Sequence, residues 1–232
     1  HIIPNNKIMI TGDTRFDQIK DRFLENKSIH YLPAYFLKKQ NVIFGSYDLY
    51  DEKLILNALK KYYYDGEKSL QEVNHGIILV PHEPDSSTVD RMILKLKKHN
   101  FSVQKFSNIS KNKNVYNILI IDQVGILADL YQYCDLAYVG AGFGRGVHSV
   151  IEPAIHNCII SFGPNIEILD EAKYMVKNNL AYIIHDVKDM LNFLNLNLNH
   201  KKQLKMKTNL KNYMQQNLNA SETILNNITN TL

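Results

Sequence analysis

The chain has only two cysteines, Cys134 and Cys158, far apart and without C-x-x-C spacing, so neither a disulfide framework nor a zinc site is expected. That usage fits a reducing, cytoplasmic setting. No run approaches the roughly 20 apolar residues of a membrane span, and no leader pattern is visible at the start. There is no G-K-[ST], which excludes a P-loop, and no D-x-D to carry a divalent metal for nucleotide-sugar chemistry. His82 and Glu83 begin like H-E-x-x-H but the second His is missing, which excludes that metalloprotease signature. Charge of one sign is scarcely in excess: the net charge is +4 and the pI about 8.8. No concentrated Lys/Arg stripe accompanies it, so nucleic acid is not an expected partner. Two basic clusters, Lys95 to Lys98 and His200 to Lys207, read as solvated helix faces, the second alternatively as a membrane or partner surface.

A length of 232 residues suffices for one large α/β domain, and a single domain is expected over the whole chain. Short β-branched runs alternate with longer amphipathic stretches: "NVIF" (41–44), "GIILV" (76–80), "FSVQKF" (101–106), "YNILII" (116–121), "DLAYV" (135–139) and "CIISF" (158–162). Successive βα units of this kind predict a doubly wound, Rossmann-like parallel sheet with helices on both faces. Val89, Ile93 and Leu96 share one helical face, as do Ile126, Leu127, Leu130 and Tyr131. After His185 the composition turns to Asn, Lys and Leu, and three helices are expected, from about Asp186, from about Lys201, and a last one capped by Ser221. The opening "HIIPNNKIMITGDTRFDQI" has no initiator Met and reads as mid-course, so a further N-terminal part is expected, with residues 1–20 leading in from it.

What stands out is "AYVGAGFGRGVHSVIEPA" (137–154), which holds Gly140, Gly142, Gly144 and Gly146, four of the ten glycines. The G-x-G-x-G-x-G spacing, after a late strand, is not the dinucleotide fingerprint G-x-G-x-x-G, so hydride transfer is not expected. A strand precedes the run and a helix start follows, with Ser149 three residues ahead of Glu152, the spacing of a capping box. Such an arrangement aims backbone N–H groups at an anion. Amides from Gly144 to Ser149, with Arg145 or His148 adding a charge-assisted bond, suit a phosphate-bearing organic ligand. Glu152 is open to two readings, a capping partner of Ser149 or an acceptor for ribose hydroxyls. Ser46, in a Gly-Ser turn, is either a turn former or a ligand contact. Ligands of open parallel sheets sit outside the carboxyl ends of the strands, where these residues fall.

"TGDTRFDQI", "FGSYDLYDE", "VPHEP", "IIDQVGILADLYQYCDLAYVGAGFGRGVHSVIEPA" and "SFGPN", in this order, resemble the C-terminal half of Kdo transferases, in a form similar to the Bacteroidota branch. These enzymes move 3-deoxy-D-manno-octulosonic acid (Kdo) from CMP-Kdo to a lipid A precursor in lipopolysaccharide biosynthesis. The resemblance implies the C-terminal, donor-binding domain of a GT-B glycosyltransferase, inverting and without a metal cofactor. It implies that Arg15, Ser46, Glu52, His82 and Gly125, the last within a loop (124–126) near the cytosine, lie by the donor, together with Gly142, Gly144, Arg145, Gly146, His148, Ser149 and Glu152. Tyr47 stands where the family usually has Thr, and Ser149 where it has Asn. The catalytic base, a carboxylate, and the acceptor and membrane surfaces would belong to the N-terminal half, so this chain alone is expected to be inactive. The full-length enzyme is expected at the cytoplasmic face of the inner membrane. Alternatives of other classes are a non-catalytic nucleotide-sugar-binding module and a UDP-sugar epimerase or transferase.

Overall fold

The computed structural model describes residues 8–25, 31–111 and 114–229. Residues 1–7 of the expected lead-in segment lie outside them. Its centre is β1 (Gln40–Tyr47), where alternation decides everything: Val42 and Phe44 face one core cluster while Ile43 faces another, and all are fully buried. β2 (His75–Pro81) repeats the pattern with Ile77 and Leu79 against Ile78 and Val80. A strand apolar on both sides must be covered on both sides, which is the condition for a parallel sheet between helical layers.

The remaining strands are β3 (Val103–Lys105), β4 (Ile118–Ile120), β5 (Leu136–Val139), β6 (Ile159–Phe162) and β7 (Ala181–Ile183). All pairings are parallel, in the order β3-β4-β2-β1-β5-β6-β7. The chain winds to one side of β1 through β2, β3 and β4, then crosses back to lay β5 on its other side. The β1/β5 boundary is therefore the switch point, where a crevice opens at the carboxyl ends of the strands. Of these strands β7, two-thirds of it only half-buried, was not among those expected, although it lies in the apolar run 180–184.

The helices are α1 (Thr14–Glu25), α2 (Leu49–Tyr62), α3 (Glu67–Glu72), α4 (Ser86–Lys97), α5 (Leu127–Leu130), α6 (Ile151–Ile155), α7 (Asp170–Lys177), α8 (Val187–Leu194), α9 (His200–Gln216) and α10 (Ala220–Thr229). Asp48 caps α2 by accepting from Tyr50 and Asp51 amides, and Asp186 caps α8 at the expected place. α9 begins at His200, its Asn199 side chain accepting from the Lys202 amide. Two expected caps do not form. Ser221 lies inside α10, which starts at Ala220; the carboxylate of Asp17 on α1 instead accepts from Asn219 N at 2.6 Å and Ser221 N at 2.7 Å. A charged acceptor reaching over from another helix replaces the weaker local hydroxyl. Nor is there a Ser149–Glu152 capping box: α6 starts at Ile151 after Val150 and has no side-chain cap among the described residues.

Candidate functional site

The crevice is shaped by contacts too close for side chains. At the end of β5, the Gly140 amide bonds the Gly45 carbonyl at 2.8 Å, and a Cβ on Gly140 would lie 2.4 Å from the Ser46 carbonyl. A Cβ on Gly142 would meet Gly163 backbone at 2.6 Å, and Gly146 has φ +111. Gly144 alone in the run has only side chains nearby, with Asp48 and Tyr50 each 3.3 Å from its hypothetical Cβ.

The loop also spends most of its amides on itself. Gly144 N and Gly146 N both donate to the Ala141 carbonyl, Val147 N to Asn165 O, and His148 N to Gly140 O. Between Gly144 and Ser149, only the amides of Arg145 and Ser149 have no internal acceptor among the described residues. The expected row of free amides at a helix N-terminus is thus corrected: Ala141, itself at φ +69, folds the loop around its own carbonyl, and α6 starts two residues beyond Ser149.

On one side of this loop is a cavity of about 340 Å³, whose walls include Tyr50, Glu52, His82, Arg91, Arg145 and His148. Ser46 takes φ +53 at the tip of β1, which places its Oγ 3.0 Å from His82 Nδ1. The expected Gly-Ser turn is corrected: Ser46 lies within β1, at the irregularity between Gly45 and Tyr47, and its hydroxyl holds His82. The His82 ring stacks on that of His148 at a centroid distance of 4.6 Å. Burial, and then the neighbouring His82, lower the His148 pKa, and its Nε2 is buried without a partner among the described residues. Glu52 lies on the wall, but its oxygens are engaged by Arg91 Nη2 at 2.9 Å and Lys95 Nζ at 2.7 Å. Burial works to raise its pKa, but these two cations outweigh it and hold the carboxyl below its usual value.

Ser149 and Glu152 face a different cavity, of about 610 Å³, between α1, α5 and α6, which Arg15, Arg22, Asp129 and His156 also line. Burial raises the Glu152 carboxyl, opposed by the charge of Arg22. Asp129, almost buried, lies 3.8 Å from Arg22 and accepts from Tyr31 Oη at 3.1 Å. Arg15 stands at the rim with its guanidinium held between Asp13 at 2.6 Å and Glu171 at 3.0 Å. Gly125 has φ +89 with open space about it, and its carbonyl accepts from Arg22 at 3.4 Å. Of the residues singled out in the sequence, Glu52, His82, Arg145 and His148 thus line the first cavity and Arg15, Ser149 and Glu152 the second, while Ser46, Gly125, Gly142, Gly144 and Gly146 line neither. Arg91, Arg22 and Asp129 were missed, because each is brought to the site by a helix face whose sequence reads as ordinary solvated surface.

No protein-family model matches the chain. It is 31% identical over 189 residues to the 3-deoxy-D-manno-octulosonic acid transferase of Rickettsia prowazekii, covering 79% of this chain and 38% of that protein. A protein of the same name in Chlamydia muridarum is 29% identical over 176 residues, 71% of this chain and 36% of the relative. The chain thus spans under two-fifths of the length of these two relatives. Among solved structures, the C-terminal CMP-Kdo binding domain of WaaA from Acinetobacter baumannii superimposes with a TM-score of 0.59 at 18% identity, covering 90% of this chain and 97% of that one. A UDP-forming α,α-trehalose-phosphate synthase from Burkholderia xenovorans gives 0.56 at 13% identity, covering 93% of this chain and 49% of that one. The fold is that of the C-terminal domain of a GT-B glycosyltransferase, and by its sequence the chain is similar to the 3-deoxy-D-manno-octulosonic acid transferases over most of its length.

Proposed function

We propose that the chain is the donor-binding half of a glycosyltransferase that takes Kdo from CMP-Kdo. The observation that carries this reading, beside the sequence similarity, is the placement of the 145–152 segment. Arg145 and His148 border one cavity, Ser149 and Glu152 the other. A nucleotide sugar has a base and ribose at one end and an anionic sugar at the other, and a partition between two pockets suits such a ligand. Glu152, free of the capping role, is available as an acceptor for ribose hydroxyls, and the stacked histidines with Arg145 suit a carboxylate or phosphate.

The acceptor in this reading is a lipid A precursor, bound with the catalytic carboxylate by another part of the protein, and the enzyme works at the cytoplasmic face of the inner membrane. No helix among the described residues is long and apolar enough to cross a membrane. Catalysis is proposed to be metal-independent, the cationic side chains taking the place of a divalent ion at the phosphate. Titration calorimetry on the chain tests the donor assignment. CMP should bind, weakly, and in preference to UMP. No heat at millimolar CMP removes the donor site, and a UMP preference favours a UDP-sugar enzyme instead. The complete enzyme should keep its activity in EDTA; activity lost on chelation and restored by magnesium overturns the metal-independent mechanism.

A further inference from the structure

Asp51 is fully buried at the third position of α2, yet no lysine or arginine pairs with it among the described residues. A buried carboxylate is tolerated when donors converge on it. Here Oδ2 accepts from the Asp48 amide at 3.0 Å and the Ala141 amide at 2.7 Å, while Oδ1 accepts from Tyr138 Oη at 2.6 Å. The Asp48 bond is local capping of its own helix. The other two reach across the sheet's switch point to β5 and to the first turn of the glycine loop. Ala141 is the residue whose carbonyl collects the amides of Gly144 and Gly146, and whose positive φ is uncommon for a residue with a Cβ. Asp48 and Tyr50, beside Asp51, and Ala141, Arg145 and His148, beyond it, are walls of the same cavity.

We infer that Asp51 is a positioning residue for donor binding: through Ala141 it locks the glycine loop against the N-terminus of α2 and so sets the distance between two walls of the cavity. The inference rests on the donor reading above, and it names the residue that gives that site its shape without touching ligand. Its chemistry makes a specific demand. Both backbone donors lie on Oδ2, so asparagine with its oxygen there keeps both, and its amide can donate to Tyr138 Oη, a hydroxyl that also accepts. Alanine keeps neither.

The experiment compares wild type, Asp51→Ala, Asp51→Asn and Ile55→Val in the 232-residue chain, the last trimming one methyl from the buried face of the same helix as a control for general destabilisation. CMP affinity is measured by calorimetry and amide exchange by NMR without ligand. The expected result is CMP binding weakened by about tenfold or more in Asp51→Ala. Asp51→Asn should stay within about threefold of wild type, as a neutral acceptor replaces a charged one. Exchange at Gly144 and Gly146 should quicken in Asp51→Ala and not in Ile55→Val. If Asp51→Ala does not fold, Asp51→Ser, polar but too short to reach Ala141, takes its place. Unchanged affinity in Asp51→Ala, or Asp51→Asn as weak as Asp51→Ala, overturns the inference. Absence of CMP binding by wild type overturns the donor reading separately; the exchange arm then decides Asp51, and equal exchange in Asp51→Ala and Ile55→Val refutes the lock.

Discussion

Gly144 and Gly142 look alike in the sequence and differ in what surrounds them. A Cβ at Gly142 runs into the backbone of Gly163 at 2.6 Å, which cannot give without moving a strand end; at Gly144 it meets the Asp48 and Tyr50 side chains at 3.3 Å, which can turn aside. Gly142→Ala should lower the melting temperature markedly, a loss of about 1–3 kcal/mol as for other overpacked sites. Gly144→Ala should melt close to wild type and weaken CMP, because its methyl enters the ligand's side of the loop. Thermal melts and CMP titrations on the two variants check this, and equal effects on both would mean that the loop merely packs. With no capping box to support, Glu152→Gln should leave melting nearly unchanged and weaken CMP by about 1.5–3 kcal/mol, the range for a hydrogen bond to a charged group. Unchanged titrations would take Glu152 out of the donor site.

Among the elements, α10 is the one held mainly by a single side chain. Its own buried surface is slight, Ala220 being the sole buried residue named in it, and its N-terminus is closed by Asp17 of α1. Burial acts to raise the Asp17 carboxyl, but the bonds from Ser221 and Asn219 prevail and lower it. Asp17→Ala removes the acceptor for both amides and should cost about 0.5–2 kcal/mol, as loss of an N-cap does. Amide exchange should quicken at Asn219 and Ser221 while β1 and β2 keep their protection. Uniform acceleration through the sheet would show instead that α10 is part of the cooperative core.

For the molecule as a whole, acid is the predicted weakness. His75, fully buried with Nδ1 2.8 Å from Tyr63 Oη, has its pKa lowered to about 4 by burial, and burial likewise lowers His156 to about 4. The unfolded chain binds protons at these sites from about pH 6.5 downward, where the folded chain does not. Their contribution to stability is therefore complete above that pH and is lost as pH falls from about 6.5 towards 4. The melting temperature should drop through this window, and His75→Gln, though less stable at neutral pH, should show a shallower drop. A slope identical to wild type would assign the acid sensitivity elsewhere.

The sequence by itself determined the layers of this fold, because runs such as "GIILV" are apolar at every position and can be satisfied only between two covering layers. It carried the resemblance to Kdo transferases too, since five motifs keep their order along the chain. The glycine run was legible as a place where backbone comes close, but not what it approaches: Gly140 and Gly142 are fixed by β1 and by Gly163, segments distant in sequence. Local spacing suggested a cap at Ser149–Glu152 and another at Ser221. Tertiary structure decided otherwise, because a start two residues beyond Ser149 and a carboxylate from Asp17 depend on packing between elements. Asp51 shows the same limit. Its place three residues after Asp48 marks a helix start, and only the return of β5 alongside β1 brings Tyr138 and Ala141 to its oxygens. Hydrophobic periodicity is a property of neighbours along the chain, whereas a binding crevice is made where the winding of the sheet reverses and distant loops meet.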